Sequence, residues 1–505
     1  MHAQDRSHPV ENSRTSEAGA GWVCGRPGTF PRLMPEHVRA FSWRRPSVLW
    51  RSRNDVVARW WGDPSNELRK RALAALSERR GAPASLTMHR PESEFSFIVM
   101  GDTGEGDRSQ YAVVPPLLSV GADTDFLVIA SDVIYPTGDT GDYEDKFFRP
   151  YAGYPGPIYA VPGNHDWYDG LRGFLNVFCQ FDMDCTPSWN GRLTWLARRL
   201  WRKSGVVDAP GLAEIRARYR GAPGQRAVQP APYWAIDTPT LRIIGIDTGI
   251  LGGIDDEQGR WLKGVSAGPK PKLLVTGKPL VVEDMSHPDE IEGGGTVDAI
   301  VRDPANNYVA AIGGDIHNYE RYPVKVGDRT LQYVVSGGGG AFMHATHIIP
   351  KTTIVDESDF RCYPLRGDSL SRYSMLYGRW FRMPWLFNLT PREATAAVEK
   401  RLGIRPGRRY ADEKVSLRAR FVAALLGVPR GRWRGPGRPP RLPVKRIPQR
   451  FRSEMADWDT PPFFKSFLRL DVTEAELRVR CYAVTGCGDH EADPPIEDEF
   501  VIPLT

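Results

Sequence analysis

Between residues 95 and 340 a short apolar run repeatedly stops dead at Gly, Asp, Asn or His. The instances are FSFIVM then GDTG, DFLVIA then SDVIY, PIYAV then PGNHD, LRIIGI then DTG, KLLV then TGKP, YVAAI then GGDIH, and LQYVV then SGGGG. Runs of this kind, apolar throughout rather than alternating, predict strands buried on both faces, and so an α/β chain. Polar residues confined to the strand ends place the chemistry on loops at one edge of the sheets, where open α/β folds hold their ligands.

The rest of the 505-residue chain is organised around that block. Residues 1–90 read as a leader, disordered over 1–30, followed by a helical segment. SNELRKRALAALSERR, 65–80, predicts a helix with Ser65 or Asn66 as cap, Leu68, Leu73 and Leu76 on one face, and Gly81 with Pro83 as its stop. Residues 91–350 form the core, interrupted by a Trp- and Arg-rich insertion at 180–230. Residues 351–455 are a basic, Pro/Arg-rich insertion that contains VPRGRWRGPGRPPRLP, a loop or linker. Within it EKVSLRARFVAALLGV reads as an amphipathic helix, either a lid or surface-docked helix or one lying on a membrane surface. Residues 456–505 return to strand pattern (FFKSFLRLDV, ELRVRCYAV, EFVIPL) and are expected to complete the core.

The formal net charge of +6 is modest, but Lys and Arg crowd residues 30–80, 192–226 and 401–452 while Asp concentrates in the middle. Basic surfaces around an acidic centre suit an anionic substrate or are simply solvated. No aromatic-basic module of the kind that recognises nucleic acid is present. Six cysteines include no Cys-x-x-Cys pair; Cys179/Cys185 and Cys481/Cys487 have neither zinc-finger nor thioredoxin spacing. The N-terminus lacks an apolar signal core, and no apolar run reaches the ~18–20 residues of a membrane span. The expected setting is soluble, reducing and cytoplasmic, with peripheral membrane contact left open.

In this order, GDTG, SDVIYPTGD, PGNHD, TGKP and GGDIHNYERY resemble the five motifs of the calcineurin-like metallophosphoesterases, over about residues 95–345. Asp102 with Gly104, in place of Asp-x-His, and Tyr135 three residues after Asp132 resemble the purple acid phosphatase branch, where a tyrosinate stands in for the missing histidine. DEQGRWL, 256–262, is similar to a Gln-x-x-Trp-Leu stretch of the same enzymes. The resemblance implies an αββα fold: two packed mixed β-sheets flanked by helices. It implies a metal A held by Asp102, Asp132, Tyr135 and His317, and a metal B held by Asp132, Asn164 and Asp315. His165 would be the general acid. Two departures stand out: Lys278 and Asp315 occupy positions where the family has metal-B histidines.

Such residue types suit phosphoester hydrolysis. Cations, here Mn, Fe or Zn with Mg as a further option, turn water into a nucleophile near neutral pH and neutralise the phosphoryl oxygens. The expected activity is hydrolysis of a small phosphorylated substrate, a phosphomonoester or phosphodiester, by a metal-bound hydroxide, with Asp132, His165 and Lys278 as the catalytic set and one or two metals. Lys278 would either ligate as a neutral amine or hold the phosphate as a fixed charge. The alternative is a weakened metal- or phosphate-binding module that has lost the second metal site. His287, His344 and His347 are candidate replacements for the missing histidines, the last two read either as loop residues or residues supporting the ligands or as ligands themselves. Gly337–Gly340 form either a phosphate cradle or a tight turn.

Overall fold

The structure is a computed structural model describing residues 24–36, 41–81, 85–189, 194–404, 414–430, 442, 444 and 461–504. Each of the seven apolar runs forms a strand. In chain order the strands are β1 (Thr87–His89), β2 (Phe95–Met100), β3 (Phe126–Ala130), β4 (Ile158–Val161), β5 (Trp234–Asp237), β6 (Arg242–Ile246), β7 (Lys272–Thr276), β8 (Val281–Val282), β9 (Met285–Ser286), β10 (Tyr308–Gly313), β11 (Tyr319–Val326), β12 (Arg329–Ser336), β13 (Arg361–Tyr363), β14 (Lys465–Val472), β15 (Glu476–Val484) and β16 (Ile496–Pro503). They build an eight-stranded mixed sheet, β1-β5-β6-β7-β10-β12-β11-β13, a six-stranded mixed sheet, β16-β15-β14-β2-β3-β4, and the small β8-β9 hairpin.

The two large sheets pack face to face. Phe97, Val99, Val128 and Ala130 of one meet Ile243, Leu273, Val275 and Ile312 of the other. The alternate residues Ile98, Met100, Leu127 and Ile129 are buried too, beneath Tyr111, Val113 and Leu117 of the helix Arg108–Val120. On the far face of the larger sheet, Ile244 and Leu274 lie under Leu262 and Val301 of two more helices. Because both faces of the central strands are covered, their sequences show no alternation. The fold is the αββα arrangement expected. The C-terminal strands enter the six-stranded sheet where β14 runs antiparallel to β2, with Leu470 opposite Phe97.

Three details differ from the sequence reading. The helix spans Ser65–Arg80 and ends at Gly81 (φ +69°) as expected, but its N-cap position is Pro64, which offers no capping side chain, and Asp63 just ahead of it accepts from the Ser65 N–H at 2.9 Å. Part of the leader expected to be disordered is docked: Cys24 is disulfide-bonded to Cys487, and Asp489 accepts from the Gly25 and Arg26 N–H groups at 2.7 and 2.9 Å. Residues 1–23, and nearly all of VPRGRWRGPGRPPRLP beyond Arg430, lie outside the described residues. Finally, Cys24 and Cys487 pair across 463 residues of chain, where the sequence reading has no pairing signal. Spacing between neighbouring cysteines carries no information about a partner at the other end of the chain. Among the described residues no helix is long and apolar enough to cross a membrane.

The pairing predicts that Cys24→Ser, or reduction, frees the docked segment while the core stays folded. Limited proteolysis should then cut ahead of residue 41 in the reduced protein and spare the oxidised one. Equal cleavage of both would show that the cross-link does not hold this segment.

Candidate metal-binding active site

The site lies where the carboxyl ends of strands from both sheets meet. Asp102 follows β2, Asp132 and Tyr135 follow β3, Asn164 and His165 follow β4, Lys278 follows β7, and Asp315 and His317 follow β10. Backbone bonds lock the ends together: Asp102 N–H donates to Ser131 O at 3.3 Å, Thr103 N–H to Asp132 O at 3.1 Å, and Ser131 N–H to Val161 O at 3.2 Å. Asp166, the last residue of PGNHD, accepts from Val133 and Gly163 N–H at 3.0 Å each, holding two of these loops in register. The strand ends carry backbone strain: Asp102 (φ +60°), Ser131 (φ +119°) and Asp315 (φ +64°) are non-glycine residues in the left-handed region, a cost that clusters at functional sites. Gly314 permits the approach of the two sheets, because a Cβ there would stand 2.1 Å from Ala130 O and 2.8 Å from Asp102 Oδ2.

The six predicted ligands are brought together. Tyr135 OH donates to Asp102 Oδ1 at 3.1 Å and lies 3.2 Å from His317 Nε2, which is itself 3.6 Å from Asp102 Oδ1. His317 Nδ1 is 2.6 Å from Phe342 O, an atom that can only accept, so the ring proton sits on Nδ1 and Nε2 keeps its lone pair facing Asp102 and Tyr135. On the other side of Asp132, Asn164 Nδ2 donates to Tyr168 OH at 2.6 Å, leaving its carbonyl oxygen facing the Asp132 and Asp315 carboxylates at 3.2 Å. Three oxygens turned on one another need a cation between them, or a reversed amide that would donate to both acids. Lys278 Nζ reaches the same cluster, donating to Asp315 Oδ1 at 3.0 Å. Asp132 Oδ1 accepts from His165 N–H at 2.7 Å.

Electrostatics give the cluster its character. Burial, then the neighbouring Asp132 and Asp315, push the Asp102 carboxyl far above the usual range. Burial and Asp315 raise Asp132 to about 7. Burial and Asp102 raise the Tyr135 phenol, and burial with His344 keeps His317 neutral. Burial works against a charge on Lys278, but Asp315 and Asp132 outweigh it and hold the ammonium. The raised acids, phenol and ammonium have the sign of a buried pocket rich in carboxylates, while His317 moves the other way because burial dominates it.

The metal-A residues fit a cation. Asp102 Oδ2 is buried without a hydrogen-bond partner, and Asp102, Tyr135 and His317 offer donors 3.1–3.6 Å apart, the separation expected of atoms each about 2.1 Å from one ion. The metal-B residues fit less well: the donors are all oxygen, and an ammonium already sits on one of them. Among the described residues no three His, Cys, Asp or Glu side chains surround a cation position by themselves, so both sets depend on Tyr135 and Asn164 as members.

The other candidates fall elsewhere. His344 Nδ1 accepts from His317 N–H at 2.7 Å and its ring lies tilted against that of His317, a supporting place. His347 is fully buried between Ser369 Oγ (2.8 Å) and Leu426 O (3.1 Å), and His287 is exposed after the β8-β9 turn. The glycine run is a tight packing turn: Gly337 N–H donates to Asn318 O and Gly339 N–H to Gly101 O, so these amides are used inside the protein. Gln258 of DEQGRWL bonds both the N–H and the O of Asp247, a structural role.

Trp43 is the participant the sequence did not reveal. It is fully buried, donates from Nε1 to Glu105 Oε1 at 2.8 Å, and sets its ring edge-on to Tyr135, His165 and Phe342 at 6.2, 5.6 and 6.1 Å. His165 is thus enclosed by Trp43, Tyr135 and Tyr168, with Nδ1 2.9 Å from Pro136 O. Nothing in the 41–53 stretch marks it as part of a site, because its partners in the site stand from 62 to 299 positions away along the chain.

Residues 95–237 match the family model of the calcineurin-like phosphoesterases. No curated protein matches the chain in sequence. Among solved structures the chain is similar to the purple acid phosphatase PPD1 of yellow lupin (Lupinus luteus) seeds, at 11% identity and a TM-score of 0.37, covering 82% of this chain and 55% of that one. It is similar to PhoD at 11% identity and a TM-score of 0.36, covering 83% and 71%. It is similar to GAP50, the anchor in the inner membrane complex of Plasmodium, at 11% identity and a TM-score of 0.30, covering 54% and 81%. The chain spans about half the length of the lupin protein.

Proposed function

From a chain whose residues 95–237 match the family model of the calcineurin-like phosphoesterases, we propose a metal-dependent hydrolase of phosphomonoesters or phosphodiesters. The observation that carries the reading is the convergence of Asp102, Asp132, Tyr135, Asn164, Asp315 and His317, drawn from both sheets, on one cluster whose three acids outnumber its one ammonium. Asp102, Asp132, Tyr135 and His317 would hold a cation, which when bound supplies a nucleophile at neutral pH and charge to offset that of the phosphoryl oxygens. His317 suits this task because Phe342 O fixes its tautomer. With Nδ1 held on Pro136 O, His165 exchanges protons through Nε2, and its part is to protonate the departing oxygen. Trp43, Tyr135 and Tyr168 fix the ring and keep bulk water from it.

Lys278 supplies the second positive charge. Its ammonium sits on Asp315 and opposes a second cation at the oxygen cluster of Asp132, Asn164 and Asp315 while remaining free to attract an anionic substrate. The expected metal content after dialysis is therefore one equivalent per chain, rising towards two in Lys278→His. Two equivalents held by the wild-type protein would show that the ammonium does not replace an ion.

The rival, a binding module that no longer turns over, draws support from that same ion pair and from the closure of the site by Trp43. Hydrolysis of p-nitrophenyl phosphate and of its bis-ester, with Mn, Fe, Zn or Mg added to metal-free protein, separates the two. Metal retention without turnover under any of the four favours the module.

A further inference from the structure

The helical excursion between β13 and β14 contributes nothing to the cluster above, yet it carries an unusual surface. Its helices Arg366–Trp380, Pro384–Phe387, Pro391–Leu402 and Leu417–Leu425 are anchored in the core by Leu370, Tyr377, Phe387, Ala397 and Val422. The corner between the first two, RWFRMPW at 379–385, faces outward instead. There Trp380 is 48% exposed, Phe381 42% and Trp385 71%, and on the last helix Leu417 is 82% and Phe421 52% exposed. Leu417 and Phe421 share a face, being four residues apart on a helix. Arg418 ties the two sets together, donating to the carbonyls of Trp385 at 3.4 Å and Asn388 at 2.8 Å.

The charge around this patch has one sign. The described residues 366–404 and 414–430 hold eleven Lys and Arg against three acids. None of the acids is exposed: Asp368 and Glu399 are buried, and Glu393 is paired with Arg418 at 2.6 Å. Arg379, Arg382 and Arg420, by contrast, are exposed beside the aromatic side chains. A soluble helical surface normally mixes both signs and shows few large apolar residues.

We propose that this face docks on an anionic lipid bilayer. Indole and phenyl rings settle at the boundary between headgroups and acyl chains, while Arg side chains reach lipid phosphates and leave their own stems on the apolar side. A bilayer offers both layers at once, apolar below and anionic above. A soluble polyanion such as RNA offers no apolar layer for Leu417 and Phe421. The peripheral contact left open by the sequence thus acquires a defined surface, independent of any catalytic activity.

The test is co-sedimentation of the full chain with vesicles of phosphatidylcholine, alone or mixed with phosphatidylglycerol. Binding is expected only to the mixed vesicles, with a blue shift of Trp fluorescence. The double variant Trp385→Ser/Phe421→Ser leaves net charge unchanged and alters only exposed positions; it should weaken binding by at least about tenfold. Arg382→Glu/Arg420→Glu should weaken it as well, most at low salt. Both variants should keep the wild-type melting temperature and metal content. Failure to bind mixed vesicles overturns the proposal. So does binding that ignores the Trp385/Phe421 change and is competed away by RNA, because that would mark a general polyanion surface.

Discussion

Asp132→Asn is expected to abolish metal retention and turnover together. The substitution keeps the shape of the side chain, and an amide oxygen can still accept from His165 N–H as Asp132 Oδ1 does at 2.7 Å. What it removes is the one carboxylate that faces both Asn164 and the pocket of Asp102 and Tyr135. Without that charge the remaining donors do not hold a cation against water. Metal analysis after dialysis should fall to background, and the rate with it, while the protein stays folded. The metal-free stability should move the other way. Asp132 is raised from 3.8 to about 7 in the fold, by burial and then Asp315. A raised acid contributes its stability below the unfolded value, and loses it as pH climbs through the folded one. In a chelator, the wild-type melting temperature should therefore decline between pH 5 and pH 8 more than that of Asp132→Asn. A variant that binds metal normally would remove Asp132 from the ligand set.

His165→Asn should separate chemistry from metal binding. Its side chain is not among the atoms that fit the cation; it is fixed by Pro136 O and three aromatic rings. Metal content should be unchanged, and the rate on alkyl phosphates should fall by roughly 10²–10⁴, the range for loss of a positioned proton donor. The loss should be steep for alkyl phosphates, whose departing alkoxide needs a proton, and slight for p-nitrophenyl phosphate, whose departing phenolate does not. An equal loss on both substrates would mean that His165 shapes the pocket rather than giving up a proton.

Most of the frame was legible because strand ends announce themselves. FSFIVM and YVAAI are apolar on both faces, so burial left them no other structure, and the polar residue that ends each run marks where the strand leaves the core. The candidate ligands were legible for the same reason: Asp102, Asp132 and His317 sit two to four residues beyond such ends. Short strands between covering elements were harder. Thr87–His89 and Arg361–Tyr363 are three residues each and carry no periodicity to read. The helix starts with Ser65 inside it and Pro64 at the cap position, with Asp63 bonding the Ser65 N–H, a one-residue choice that local preference does not resolve.

Sequence alone determined the chemistry at each strand end and the class of sheet that brings strand ends to one edge, because burial and hydrogen bonding act on neighbours along the chain. Tertiary structure alone decided which of those ends touch: Lys278 on Asp315, Trp43 over His165, Cys24 to Cys487. These contacts join residues from 37 to 463 positions apart. Their geometry follows from how two twisted sheets settle against each other, a property of the whole packed core that no short window of sequence contains.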